Sequence, residues 1–201
     1  MAGLVAFAPR VIFVVVWLGL VVFFRRRKQA SLVYLLLFSL FCIYLYAVLD
    51  VTILQYQSLI VLKYLDPGII LRGMEAEQSL NLVPLVTLGP DDVRTSVLNV
   101  LMMMPFGLFL LLVSDLRFGK ILAAGAFFSI AIEALQFVSG YLAGITFRVA
   151  DINDVIFNTI GTALGFLLFA ALVRLARRFQ RGDGRPDSPI LRALAARPLS
   201  R

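Results

Sequence analysis

The sequence predicts an all-α membrane protein, a bundle of about five transmembrane helices with its N-terminus outside and its C-terminus inside. Three observations carry that reading. Of the residues, 61% are hydrophobic and the mean hydropathy is +0.93, whereas a soluble domain is typically about 45–50% apolar. The apolar residues fall into long runs, each near the length that crosses a hydrocarbon core of roughly 30 Å. Lysine and arginine alternate between the loops. Arg25, Arg26, Arg27, Lys28, Arg117, Lys120 and the eight arginines from Arg174 onward fall on one side, against Arg10, Lys63, Arg72, Arg94 and Arg148 on the other. Fourteen against five is a positive-inside pattern and requires an odd number of spans.

Val11 to Phe24 is the first apolar run. Its fourteen residues rise about 21 Å, so the span begins before Arg10, whose side chain snorkels to the interface. The cluster Arg25–Lys28 follows the run and no small-residue cleavage site does, so a retained helix is expected and not a signal peptide. Ser31 to Leu49 is the second span. Val51 to Leu65, dotted with Gln55, Gln57 and Lys63, reads either as an extension of it or as an interfacial segment. Asp66-Pro67-Gly68 signals a turn, and an external loop over Ile69–Asp92 follows. Thr95 to Ser114 is the third span, with Asp91 or Asp92 placed to cap it. Pro105 frees the carbonyl of Leu101, so a bend is expected there. Ile121 to about Gly144 is the fourth span and Val155 to Val173 the fifth. In domain terms, residues 1–28 form the first helix and a basic cytoplasmic loop. Residues 29–175 form the main transmembrane domain, with an external loop at about 51–94, and residues 176–201 a basic cytoplasmic tail.

Composition narrows the chemistry. Histidine is absent, which removes the commonest general base and any Ser–His pair. The lone cysteine, Cys42, forms no intrachain disulfide. The length leaves no room for a soluble catalytic domain beside the spans. The net charge of +7 reflects topology, and no nucleic-acid partner is expected.

One stretch breaks the apolar pattern. Between Glu133 and Gly165 the chain gathers Glu133, Gln136, Arg148, Asp151, Asn153, Asp154 and Asn158. Polar and ionisable groups at membrane depth are costly, so they face a bundle interior and mark a working site. Asp151, Asp154, Asn158, Gly161 and Gly165 are spaced 3, 4, 3 and 4 apart, the spacing of one helix face. Asn99 on the third span reaches the same outer-half depth, and Asn81 lies in the external loop. The pocket candidates are therefore Asn81, Asn99, Glu133, Gln136, Arg148, Asp151, Asp154 and Asn158.

Several chemistries fit these residue types. Arg148 can grip a phosphate or carboxylate through paired hydrogen bonds, while a neighbouring carboxylate takes a hydroxyl or an amine. Glu133, Asp151, Asp154 and Asn158 offer oxygen ligands suited to a divalent cation. Acid–base work by Glu133 is a third option, although no nucleophile stands beside it in the sequence. The cluster can also be a buried ion-pair network that fixes helix packing.

The same residues resemble the VanZ-like family of bacterial integral membrane proteins. The resemblance runs through NLVP at Asn81–Pro84, Asn99 with Pro105–Gly107, Glu133 with Gln136, and the ordered series from Arg148 through Asp151, Asp154 and Asn158 to Gly161. It covers roughly Leu32 to Leu175. The family usually has phenylalanine after the NLxP proline, where this chain has Leu85. The resemblance implies a helical cell-envelope protein of the bacterial cytoplasmic membrane, and its namesake lowers susceptibility to the lipoglycopeptide teicoplanin. It establishes no reaction. Together with the residue reading it leads to an outward-facing polar pocket that binds a lipid-linked cell-wall precursor or glycopeptide-type headgroup among membrane lipids. The alternatives are a metal-assisted enzyme acting on a lipid phosphate and a structural or partner-binding subunit.

The orientation is testable by thiol labelling in a Cys42→Ala background. Cysteine at position 92 or 150 should react with an impermeant reagent added to intact cells, and cysteine at 118 or 184 should not. The reverse pattern refutes the topology.

Overall fold

The computed structural model describes residues 2–54, 80–85, 89–143 and 148–181. Among them, five helices are long and apolar enough to cross a membrane. They are α1 (Ala2–Arg27), α2 (Leu32–Thr52), α3 (Pro90–Val113), α4 (Phe118–Ala143) and α5 (Ile152–Arg181). Two short strands, β1 (Leu80–Asn81) and β2 (Ala150–Asp151), pair in parallel with Leu80 opposite Ala150 and Asn81 opposite Asp151. The expectations for residues 55–79, including the Asp66–Gly68 turn, and for the tail beyond Arg181 lie outside the described residues.

Local chemistry sets the helix ends. Ser31 caps α2, its hydroxyl accepting from the Tyr34 N–H at 3.1 Å. The third span starts earlier than hydropathy alone indicates, at Pro90. Proline suits the first helical position because its missing N–H would have no partner there. Asp92 then turns back to accept from the Gly89 N–H at 2.9 Å. α3 runs through Pro105 as one helix. The Tyr44 hydroxyl donates to the Met102 carbonyl at 2.7 Å, beside the Leu101 carbonyl that the proline leaves without its helical donor. The fifth helix outruns its predicted span at both ends, reaching Arg181 and carrying Arg174, Arg177 and Arg178 on its last turns.

The bundle is organised on α3 and α5, which run side by side in the same direction. An added Cβ at Gly161 would overlap the Val100 carbonyl oxygen, at Gly165 that of Met104, and at Gly107 that of Thr162. Only glycine lets two backbones come this close, the packing device of membrane helices that lack a hydrophobic force between them. α4 lies antiparallel against this pair. Gly125 meets the Thr162 side chain, and Ile121 closes an apolar cluster with Leu111, Phe169 and Val173. α2 packs on α3 through Phe41, Met103 and Phe106. α1 is peripheral, touching α2 through the Trp17 indole N–H donating to Ser39 (3.0 Å) and the Phe13–Tyr46 and Phe24–Phe38 ring pairs. None of its spanning window is buried.

Alternation of the helices brings the C-termini of α2 and α4, the N-termini of α3 and α5, and the β1–β2 pair to one end of the bundle. Arg25, Arg26, Arg27, Arg117, Lys120 and Arg174 fall at the opposite end. Ala150 is only 3% exposed while Val149 is 41% exposed. Position 149 is therefore the better labelling site at that end.

The glycine contacts yield a stability prediction. Gly161→Ala and Gly165→Ala should each lower the thermal midpoint of the purified protein, by an overpacking cost of about 1–3 kcal/mol. Gly19→Ala, where an added Cβ meets nothing within 4 Å, is the control and should match the parent. Equal behaviour of all three variants would refute the close backbone approach.

Candidate functional site

The polar residues converge at the end of the bundle that carries the strands, and most act first as struts. Asp151 is the one residue of the expected helix face that is not helical. It lies in β2, and its Oδ1 accepts from the Asn153 N–H at 2.8 Å, capping the start of α5. Its own N–H donates to Glu133 Oε2 at 2.9 Å, so the α4 carboxylate holds the backbone entering α5. Asn99 on α3 donates from Nδ2 to Asp154 Oδ1 on α5 at 2.6 Å. Gln136 donates from Nε2 to the Thr52 carbonyl at 2.9 Å, which ties α4 to the last turn of α2. Asn158 donates from Nδ2 to Ser129 Oγ at 2.8 Å, joining α5 to α4. Four helices are thus cross-linked by side chains that hydropathy would place in lipid. Glu133 is 8% exposed, and Gln136 and Asn158 are each 2% exposed.

The NLVP segment is a turn that docks on this frame. Asn81 Oδ1 accepts from the Val83 N–H at 3.1 Å, the local bond by which asparagine builds turns. Leu85 adopts a left-handed backbone (φ 60°), which a branched residue takes only when held there. The Asn153 side chain supplies the hold, its Oδ1 accepting from the Leu85 N–H at 2.8 Å. Asn81 therefore shapes the loop and does not line the cavity beside it.

That cavity has a volume of about 220 Å³ and lies between the N-terminal turns of α3 and α5 and the β2 segment. Of the eight sequence candidates, Arg148, Asp151 and Asp154 line it. Asn99 faces a different, apolar groove, and Glu133, Gln136 and Asn158 brace the helices behind it. The cavity also takes Asp92, Thr95, Ser96 and Asn153, which the sequence reading left off the candidate set. The spacing of Asp92, Thr95, Ser96 and Asn99 on one face of α3 is a signal for them, obscured because hydropathy alone starts the span at Thr95.

Arg148 is the distinctive group. Among the described residues it forms no ion pair within 4.0 Å. Glu133 and Asp154 nonetheless lie close enough to interact with its charge. Within the ion-pair network that the sequence allows, Glu133 senses Arg148 only at a distance, since it is bonded to the Asp151 backbone. The metal-ligand reading of Asp151, Asp154 and Glu133 gains no support from their placement. Among the described residues no three metal-binding side chains come together. Two buried acceptors, Gln136 Oε1 and Asn158 Oδ1, have no partner among the described residues.

The fold and the site together define a helical membrane protein with five candidate spans among the described residues, whose buried polar side chains gather at one end of the bundle. The sequence model of the VanZ/LLP1 family matches residues 7–174, and the chain belongs to that family, whose name is linked to teicoplanin resistance. The match starts well before the motif-bearing stretch and takes in the first helix. No curated protein sequence and no solved structure matches the chain.

The Glu133 strut can be tested through its geometry. Glu133→Leu removes the acceptor of the Asp151 N–H and should cost about 1–3 kcal/mol of stability. Glu133→Gln keeps an acceptor oxygen and should unfold near the parent temperature. Equal losses in the two variants would show that the charge, and not the acceptor, is what the fold requires.

Proposed function

We propose that this protein binds the headgroup of a lipid-linked cell-envelope molecule without transforming it. On this reading the polar cavity faces outward from the bacterial cytoplasmic membrane, and binding there lowers susceptibility to glycopeptides such as teicoplanin. The observation that carries the reading is Arg148. A guanidinium lining a small cavity, with no ion pair among the described residues, is a ready partner for a phosphate or carboxylate. The remaining lining adds a second requirement. Asp92, Asp151 and Asp154 outnumber the single cation, so a headgroup of anions alone would be repelled. A headgroup that offers one anion to Arg148 and hydroxyl or amine donors to the carboxylates fits both.

Size supports a small group over a whole glycopeptide. Sites for drug-sized ligands are typically about 300–1,000 Å³, and the polar cavity, at about 220 Å³, falls below that range. The link to glycopeptides then runs through the membrane-bound precursor or through a lipid-like part of the drug. The family link and the five spans support a cell-envelope setting.

Arg148→Gln separates ligand binding from folding. Because no ion pair among the described residues is broken and only longer-range attraction to Glu133 and Asp154 is lost, the variant should unfold within about 1 kcal/mol of the parent. It should also lose the lipid or precursor that the parent retains through mild purification, identified by mass spectrometry, together with any protection against teicoplanin. A variant that keeps both ligand and phenotype would refute the reading.

A further inference from the structure

Beside the polar cavity lies a second and larger one. An apolar groove of about 580 Å³ runs along the seam between α2 and α3, lined by Ala47, Val51, Leu98 and Met102 among others. Its origin is side-chain size. Toward the basic end, α2 meets α3 through the large rings of Phe41 and Tyr44 against Phe106 and Phe109. From Ala47 to Thr52 the α2 residues facing α3 are small, and the seam is left open. The two cavities are not independent. Thr95 and Arg148 line both, so the guanidinium stands at the threshold between an apolar groove and a cavity walled by carboxylates.

We propose that the site takes a membrane-embedded amphiphile from the side, its chain lying in the α2–α3 groove while its headgroup passes Arg148 into the polar cavity. This rests on the headgroup reading above and adds the ligand class and the route. Its physical basis is the cost of removing a chain from oil. A headgroup can enter a polar cavity at the end of the bundle only if its chain stays in apolar surroundings. Lipid tails are as apolar as the groove, so the groove contributes little affinity of its own. It supplies a path that keeps the chain buried throughout. A cation at the junction meets the anionic linkage between chain and headgroup, the one part of such a ligand that must sit at the boundary. A water-soluble ligand would have no use for the groove, and an uncharged lipid none for Arg148.

The experiment uses the full chain in phosphatidylcholine nanodiscs with a small fraction of phosphatidylglycerol carrying a photoreactive group on one acyl chain. Phosphatidylglycerol offers one phosphate anion and two hydroxyl donors. Crosslinks mapped by mass spectrometry should concentrate on α2 and α3 at the groove, above the level on the lipid-facing surface of α1 near Val15. Ala47→Trp and Leu98→Trp fill the groove from exposed positions that the fold tolerates. Each should reduce groove labelling about tenfold, as an indole occupies the chain's space, and Arg148→Gln should reduce it as well. The inference is overturned if groove labelling does not exceed that of α1 or survives both tryptophan variants. The water-soluble dihexanoyl form separates the two levels of the argument. If it binds in an Arg148-dependent way with the groove filled, the headgroup reading stands and the lateral route falls. If neither the long-chain nor the short-chain form depends on Arg148, the headgroup reading itself falls.

Discussion

The contact on which the rest of this molecule depends is the backbone-to-backbone approach of α3 and α5. Lipid supplies no hydrophobic force to drive helices together, so association rests on close packing and on polar bonds between helices. Here Gly161 and Gly165 lie against the carbonyls of Val100 and Met104, and Gly107 lies against that of Thr162. This contact fixes the register between the two helices as well as their distance. One turn beyond Gly161 it brings Asn158 level with its neighbours, and one turn further it sets Asp154 against Asn99 at 2.6 Å. The cavity between the first turns of α3 and α5 is a consequence of the same register, because the small residues end where the polar ones begin.

With the register set, Glu133, Gln136 and Asn158 each bond to a neighbouring element, and among the described residues Arg148 forms no ion pair. The Glu133 carboxylate receives the Asp151 N–H, the Gln136 amide reaches the end of α2, and the Asn158 amide reaches Ser129. These bonds run between helices, so each does what an apolar contact does in a soluble core and adds a direction. Removing such a partner strands a polar group in a medium without water, and this makes the cluster a bracing element in its own right. Arg148 differs because no side chain of the described residues takes its hydrogen bonds as an ion pair. The division between the groups that brace and Arg148 is thus a matter of hydrogen-bond partners, not of residue type.

The spans and the location of the cluster were legible in the sequence because both follow from hydropathy, which depends on residue type alone. All five spans were found, and Arg148, Asp151 and Asp154 do line one cavity. The partnerships were not legible. Nothing in the spacing of Glu133 tells that its oxygen meets a backbone N–H eighteen residues on and not the guanidinium of Arg148. The strand pairing of Leu80–Asn81 with Ala150–Asp151 lies equally beyond reach, since two residues carry no periodicity. That pairing is also why Asp151, correctly spaced for a helix face, stands just ahead of the helix. Asp92, Thr95 and Ser96, and the place of Asn153 in the cavity lining, escape the sequence for a different reason. Short polar residues next to a helix start read as caps and turns, which some of them also are.

The polar residues are graded by depth, and the grading follows the cost of burial. From the strand-bearing end inward, α5 passes from Asp151 and Asp154 to Asn158, then Thr162, and then to apolar residues as far as Arg174. α3 passes from Asp92 through Thr95 and Ser96 to Asn99, and α4, read from the same end, ends its polar series at Ser129. On α3 and α5 the charges lie nearest the aqueous end, where desolvation is least, and only amides and hydroxyls lie deeper. α4 breaks the order, because its carboxylate, Glu133, lies one turn deeper than its amide, Gln136. The exception has a local cause. The loop that enters α5 turns inward at Asp151 and delivers a backbone N–H at that level. A carboxyl group offers two oxygens to such a donor, where an amide offers one. The deepest carboxyl group of the cluster is therefore the one that anchors β2, and through β2 it fixes both the start of α5 and the wall of the cavity that Arg148 and Asp154 line.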